Sequence, residues 1–151
     1  MSMNPTSKIR PTGATASMGR SGFPQVVSAT GGEITIKTGA SEAGFNPLDL
    51  LYASLSACLA MSARIAAGQL GVSDRLTGVA VRVTGEKASE GLSRIARFAI
   101  DMEITGDFDT AIRDEIARLA EAEICTVSNT VNGGAEFVLA VRAPHQDSSA
   151  S

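Results

Sequence analysis

The sequence holds one histidine, two cysteines, one tyrosine and no tryptophan among 151 residues. Each scarcity removes a class of explanation. The lone histidine, His145, lies in the polar tail PHQDSSAS, and the cysteines stand 67 positions apart, at 58 and 125. That matches neither zinc-ligand spacing nor a CxxC pair, so no metal is expected. Two cysteines make no disulfide framework, and a chain of this length can bury a core without one. Its thiols are expected to be reduced at rest, as in the cytoplasm. Aromatic residues are 4% of the chain, so Ala, Val, Ile and Leu must build the interior. No cluster of Lys or Arg stands out: 13 basic and 16 acidic residues are spread along the chain, net charge −3. Without a basic stripe to track phosphates, nucleic acid is not an expected partner. Nothing suggests a nucleotide or flavin cofactor. The opening MSMNPTSKIRPTGATASMGR has no apolar h-region. The uncharged run at residues 50–63 has 14 residues, short of the ~20 that a spanning helix needs, so no membrane association is expected.

What is present has a clear order. Residues 1–18, rich in Ser, Thr, Pro and Gly, read as a flexible N-terminal arm, residues 19–143 as a single domain and 144–151 as a C-terminal tail. GFPQVVSATGGEITIKTG reads as a hairpin turning at SATGG. Then FNPLDLLYASLSACLAMSARIAA opens a helix, with Asn46 as cap, Pro47 in the first helical position and Asp49 completing a capping box. The helix should stop near Gly68 or Gly71. Apolar residues occupy most of its circumference, so it needs cover on more than one side, and the small residues Ala53, Ser54, Ala57 and Ala60 would let another helix approach. The alternating GVAVRVTGEK and IARFAIDMEITG make a second hairpin. Residues 109–124 form an amphipathic helix capped by Asp109, with an Asp114–Arg118 pair. CTVSNTVNGG is a turn or short helix, and AEFVLAVR a closing strand. The order β-β-α-β-β-α-β is that of an α+β domain with mostly antiparallel pairing. The unusually apolar helix points to a second subunit that completes its burial.

The cysteines taken alone have bland readings. On a helical wheel Cys58 shares its face with Leu51, Ser54, Leu55, Met61, Ser62 and Ile65, apolar surroundings that raise a thiol's pKa and make it inert. A working thiolate needs a cation or a helix N-terminus, and Arg64 lies about 120° away on the wheel. Cys58 therefore reads as a small core hydrophobe. Cys125 reads as a half-buried packing residue at the edge of a helix. A helix C-terminus beside it would disfavour a thiolate, whereas a new helical turn beginning at Thr126 would favour one.

Together the two segments resemble a known family. Pro47 and Cys58 keep an eleven-residue spacing from a helix start, and EICTVSN places Cys125, Ser128 and Asn129 in a CP-x-S-N-like turn after an amphipathic helix. MGRSG, ahead of the first hairpin, is similar to a GR-x-G motif that contains Arg20. This set resembles the osmotically inducible protein C and organic hydroperoxide resistance proteins (OsmC/Ohr) over about residues 18–142. The resemblance implies an OsmC-like fold, with an antiparallel sheet packed on a long central apolar helix, and an intertwined homodimer with its sites at the subunit interface. It also implies a thiol-dependent peroxidase. Cys58 would attack an organic hydroperoxide and become a sulfenic acid, Cys125 would resolve it to a disulfide, and an external dithiol would restore both thiols. Arg20 would lower the Cys58 pKa and steady the departing oxygen, and Asp49 would orient the arginine. An apolar pocket would favour alkyl or lipid hydroperoxides.

The chain departs from the pattern at three places. Leu48 and Asp49 fall where the family's orienting glutamate stands, and Asp49 has a second use as a helix cap, about 180° from Cys58 on a straight helix. Ala122 stands where a histidine is frequent, and Thr126 replaces the proline after the second cysteine. The competing reading is a dimer of the same fold without turnover that binds a small apolar molecule between subunits.

Overall fold

The computed structural model describes residues 9–144. Of the expected arm, residues 1–8 lie outside this range, as does the tail from 145 on with His145. The fold is α+β, and the described residues form three α-helices and two antiparallel sheets. It divides into two compact units. One is built from residues up to Ala57 with Ala80–Glu103, the other from Cys58–Val79 with residues from Ile104 on.

The first unit holds a three-stranded sheet in the order β1 (Ala14–Ser17), β2 (Gln25–Ser28), β3 (Glu33–Thr35). The β2–β3 hairpin turns through the SATGG segment, pairing Gln25 with Thr35 and Val26 with Ile34. β1 falls in the segment read as an arm. Its residues ATAS carry no apolar alternation, and the strand is exposed throughout. It is specified by pairing with β2, Ala14 opposite Ser28 and Ser17 opposite Gln25, which no local pattern announces. Tyr52 and Phe98 meet edge to face in this unit, ring centroids 6.2 Å apart.

The central helix, α1, spans Pro47–Gln69. At its start Asn46 Oδ1 accepts the Asp49 N–H at 2.7 Å while Asp49 Oδ2 accepts the Asn46 N–H at 3.0 Å, a reciprocal capping box. At its end Gly71 adopts φ 73°, and the Val72 N–H returns to the Ala67 carbonyl at 2.9 Å, so glycine supplies the left-handed stop. One side of α1 is buried, through Leu55, Leu59, Ser62, Ala63, Ala66 and Ala67. The other leaves Ser54, Ala57, Met61, Arg64 and Ile65 exposed. α1 is long and apolar enough to cross a membrane by length and composition, a test that a core helix with one buried side also meets.

A long hairpin follows, β4 (Leu76–Lys87) and β5 (Ile95–Gly106), as the alternation predicts. The second helix, α2, covers Thr110–Leu119, and Asp109 caps it by accepting the Ile112 N–H at 2.9 Å. Arg118 bonds Glu115 at 2.7 Å, three residues back, rather than the expected Asp114. Glu115 offers both carboxylate oxygens to the guanidinium, a bidentate geometry. Arg113 ties α2 to the hairpin: its Nε donates to the Ile104 carbonyl at 2.8 Å and its guanidinium lies 5.4 Å from the Phe108 ring centre. After α2 comes a π-helical turn, Ala120–Ile124, and then α3, Thr126–Gly133. In the second unit the core includes Leu59, Ala63, Ala66, Ala67, Val72, Ile104, Ile116, Ala120 and Cys125.

The expected closing strand AEFVLAVR does not form. Residues 135–144 have no regular structure, and Phe137, Val138, Leu139 and Val141 are 86–96% exposed. The alternation is present in the sequence, but a strand also needs a neighbour to bond with, and this segment has none among the described residues.

Two substitutions test this account by thermal unfolding. Asn46→Ala removes the cap acceptor of α1 and should destabilise the protein by about 1 kcal/mol. Ile116→Ala empties a fully buried position and should cost about 2–5 kcal/mol.

Candidate functional site

The second unit brings the two cysteines together. Cys58 sits at the middle of α1, half-buried, while Cys125 is wholly buried. This reverses the expectation from composition, in which Cys58 was the core residue and Cys125 lay at a partly exposed edge. The reason lies in the chain after α2. The π turn ends with the Cys125 N–H bonded five residues back to the Ala120 carbonyl at 2.9 Å, and the backbone then extends for one residue, φ −68° and ψ 106° at Cys125. This turns the side chain inward as the N-cap of α3. Its sulfur accepts the Ser128 N–H at 3.3 Å and its carbonyl accepts the Asn129 N–H at 2.9 Å. Asn129 secures the approach by donating from Nδ2 to the Glu123 carbonyl at 3.1 Å. Gly134, φ 63°, closes α3 in the left-handed region.

Thr126 therefore does begin a new helix, and its N-terminus faces sulfur. Burial pushes the Cys58 thiol up, but four hydrogen-bonding groups outweigh it: the Val127 N–H, the Cys125 thiol, the Ser62 hydroxyl and the Thr126 N–H. The net result holds Cys58 below the usual thiol range. Cys125 moves the other way. Burial raises it most, and the neighbouring Cys58 adds to this both as a hydrogen-bond acceptor and as a negative charge, against the smaller opposing pull of the Ser128 and Val127 N–H groups. The two thiols are thus shifted in opposite directions, Cys58 towards ionisation and Cys125 towards its protonated form. Both thiols are free.

Chemically, such a pair offers a partly accessible thiol that ionises more readily than usual beside a shielded one that ionises less readily. The first can act as a nucleophile, and the second is poised to attack the first sulfur once it is oxidised. Ser62 and the α3 amides were not singled out from the sequence as acting on Cys58. A weak signal existed, since Ser62 lies one helical turn after Cys58 and shares its face.

The other two candidates stand elsewhere. Arg20 is exposed in the turn between β1 and β2 and forms no ion pair among the described residues. Asp49 is the capping residue of α1. Both belong to the first unit. Among the described residues no group of three or more His, Cys, Asp or Glu side chains could hold a metal ion. A groove of about 340 Å³ in the second unit is lined by Ala60, Met61, Arg64, Leu76, Thr77, Gly78 and Val79. Neither sulfur contributes to it.

Comparison with solved structures finds the same fold repeatedly. An OsmC-like protein from Mycoplasma pneumoniae superposes with a TM-score of 0.69 at 20% identity, covering 83% of this chain and 89% of the other. An organic hydroperoxide resistance protein OsmC from Legionella pneumophila gives 0.65 at 20% identity, covering 84% and 93%. The organic hydroperoxide resistance protein OhrB of Bacillus subtilis gives 0.61 at 21% identity, covering 83% and 93%. A search of curated protein sequences finds no match. The profile of the family described as OsmC-like protein matches residues 39–140, more than half of the chain and a span that includes both cysteines. This chain belongs to the OsmC-like family.

Proposed function

We propose that the protein is a thiol-dependent peroxidase of the reducing cytoplasm that acts on organic hydroperoxides. The observation that carries this reading is the sulfur pair, a half-buried Cys58 whose thiol is drawn below its usual range beside a buried Cys125 whose thiol is pushed up. The Cys58 thiolate attacks the outer oxygen of the hydroperoxide, a C58 S–O bond forms and the O–O bond breaks. The alkoxide takes a proton and leaves as the alcohol, and Cys58 becomes a sulfenic acid. Loss of the charge on Cys58 removes what its anion contributed to keeping Cys125 protonated. Cys125 then gives up its proton and attacks the Cys58 sulfur. The S–S bond forms as the S–O bond breaks, and hydroxide leaves as water. An external dithiol supplies two electrons, becomes a disulfide and regenerates both thiols. Arg20 is the cation proposed to meet the departing oxygen, and Asp49 the carboxylate proposed to orient it. Asp49 would do so with one oxygen already engaged at the helix cap.

The working form is proposed to be a homodimer. Met61 and Ile65, 59% and 51% exposed, lie on the uncovered side of α1, and the apolar segment around Phe137–Val141 is bare. A monomer rarely leaves this much apolar surface in water. A second copy can cover the helix face and offer a strand edge for residues 135–142 to join.

Reduced protein mixed with cumene hydroperoxide should lose both thiols rapidly. Cys58→Ser should abolish the loss, while Cys125→Ser should leave a sulfenic acid that dimedone traps. Thiols that survive a large peroxide excess would leave the competing reading, an apolar-ligand-binding dimer without turnover. Light scattering should give twice the chain mass, and the double substitution Phe137→Asp with Leu139→Asp should shift it to that of one chain.

A further inference from the structure

Where the π turn passes into α3 through the single extended residue Cys125, the regular ladder of helical hydrogen bonds is interrupted. Two side chains act at the break. The Cys125 sulfur accepts the Ser128 N–H at 3.3 Å. Asn129 Nδ2 donates to the Glu123 carbonyl at 3.1 Å, six residues back, while the Asn129 backbone N–H bonds the Cys125 carbonyl at 2.9 Å. Asn129 therefore closes a loop from Glu123 to itself, with Cys125 inside it. Within this loop Cys125 is held at its amide by Ala120, at its carbonyl by Asn129 and at its sulfur by Ser128. The Asn129 side chain is the one of these contacts that bridges α3 to the end of the π turn. Thr130, its neighbour, bonds only within α3, from Oγ1 to the Thr126 carbonyl at 2.7 Å.

We propose that Asn129 is a positioning residue for disulfide formation: by tying the Glu123 carbonyl to α3 it fixes the direction from which the Cys125 sulfur meets Cys58. A disulfide tolerates a narrow range of Cβ separation and torsion, so a small rotation of the Cys125 backbone slows closure of the bond or leaves it strained. Asn129 is exposed whereas Cys125 is buried, so its side chain can be changed without opening the core. The inference rests on the peroxidase reading for the use to which the disulfide is put, but the positioning itself can be measured without peroxide.

The experiment compares the parent with Asn129→Ala, Asn129→Gln and Thr130→Val. Alanine is the better helix former, so Asn129→Ala removes the bridge without weakening α3. In the first measurement each protein is equilibrated with oxidised and reduced dithiothreitol. The two protein thiols give two electrons and two protons to the oxidised reagent and join as the disulfide. Loss of one hydrogen bond should lower this equilibrium constant about fivefold in Asn129→Ala. In the second, a pulse of cumene hydroperoxide is followed by dimedone added at increasing delays. Cys58 should be oxidised at the parental rate, while its sulfenic acid persists about fivefold longer. Asn129→Gln keeps the donor on a longer arm and should recover part of both losses. Thr130→Val removes a hydrogen bond from α3 alone and should match the parent in both. Should Asn129→Ala lose its parental circular dichroism, Asn129→Leu, which keeps the size and lacks the donor, takes its place. Equilibria and lifetimes unchanged in the folded variant would overturn the positioning role. So would equal losses in Thr130→Val, which would mean a general loosening of α3. A protein inert to peroxide whose dithiothreitol equilibrium shifts as described would keep the positioning role and discard the peroxidase. Peroxide turnover with an unmoved equilibrium and lifetime would do the reverse.

Discussion

The structure of the second unit turns on one arrangement, a helix N-terminus laid against two sulfur atoms. An isolated thiol buried among Leu and Ala side chains would be driven to its neutral form. The opening amides of α3 and the Ser62 hydroxyl reverse this for Cys58, because each offers a hydrogen to the charged form of the sulfur. They do not reverse it for Cys125, which is more deeply enclosed and already feels the charge of its neighbour. Packing thereby shifts two chemically identical groups in opposite directions, one below its ordinary pKa and the other above it.

The π turn makes this possible. Had α2 continued in regular α-helical geometry, Cys125 would have remained in the helix with its amide bonded four residues back. The bond to Ala120 instead spans five residues, the backbone then extends, and a second helix starts immediately. The cysteine becomes a cap, a position where a side chain meets free amides instead of carbonyls. Ile116 and Ala120, both fully buried, anchor the segment that leads to it.

The same physical rule explains the two places where apolar surface is left bare. α1 carries hydrophobic residues round most of its circumference, yet the described residues cover one side only, and the AEFVLAVR segment alternates like a strand with no strand beside it among the described residues. Pattern states what an element needs, not whether the needed partner belongs to the same chain. Here the missing cover is the strongest physical argument for a second copy.

Much of the architecture could be read from local chemistry. The Asn46–Asp49 capping box, the Asp109 cap, the hairpin at SATGG and the long alternating hairpin are each encoded within a few residues, and each forms where those residues stand. The family likewise follows from short-range signals, chiefly the spacing from Pro47 to Cys58 and the CTVSN turn. Local chemistry did not announce β1, whose ATAS residues gain their structure by pairing with β2, nor the partner of Arg118, where Glu115 and Asp114 were both within helical reach. By itself, then, the sequence determined the helices, the hairpins and which two sulfurs this protein possesses. Only the tertiary structure decided which sulfur is shielded and which is eased towards ionisation, because a thiol's pKa depends on the amides and hydroxyls that packing brings to it from residues far away in the chain.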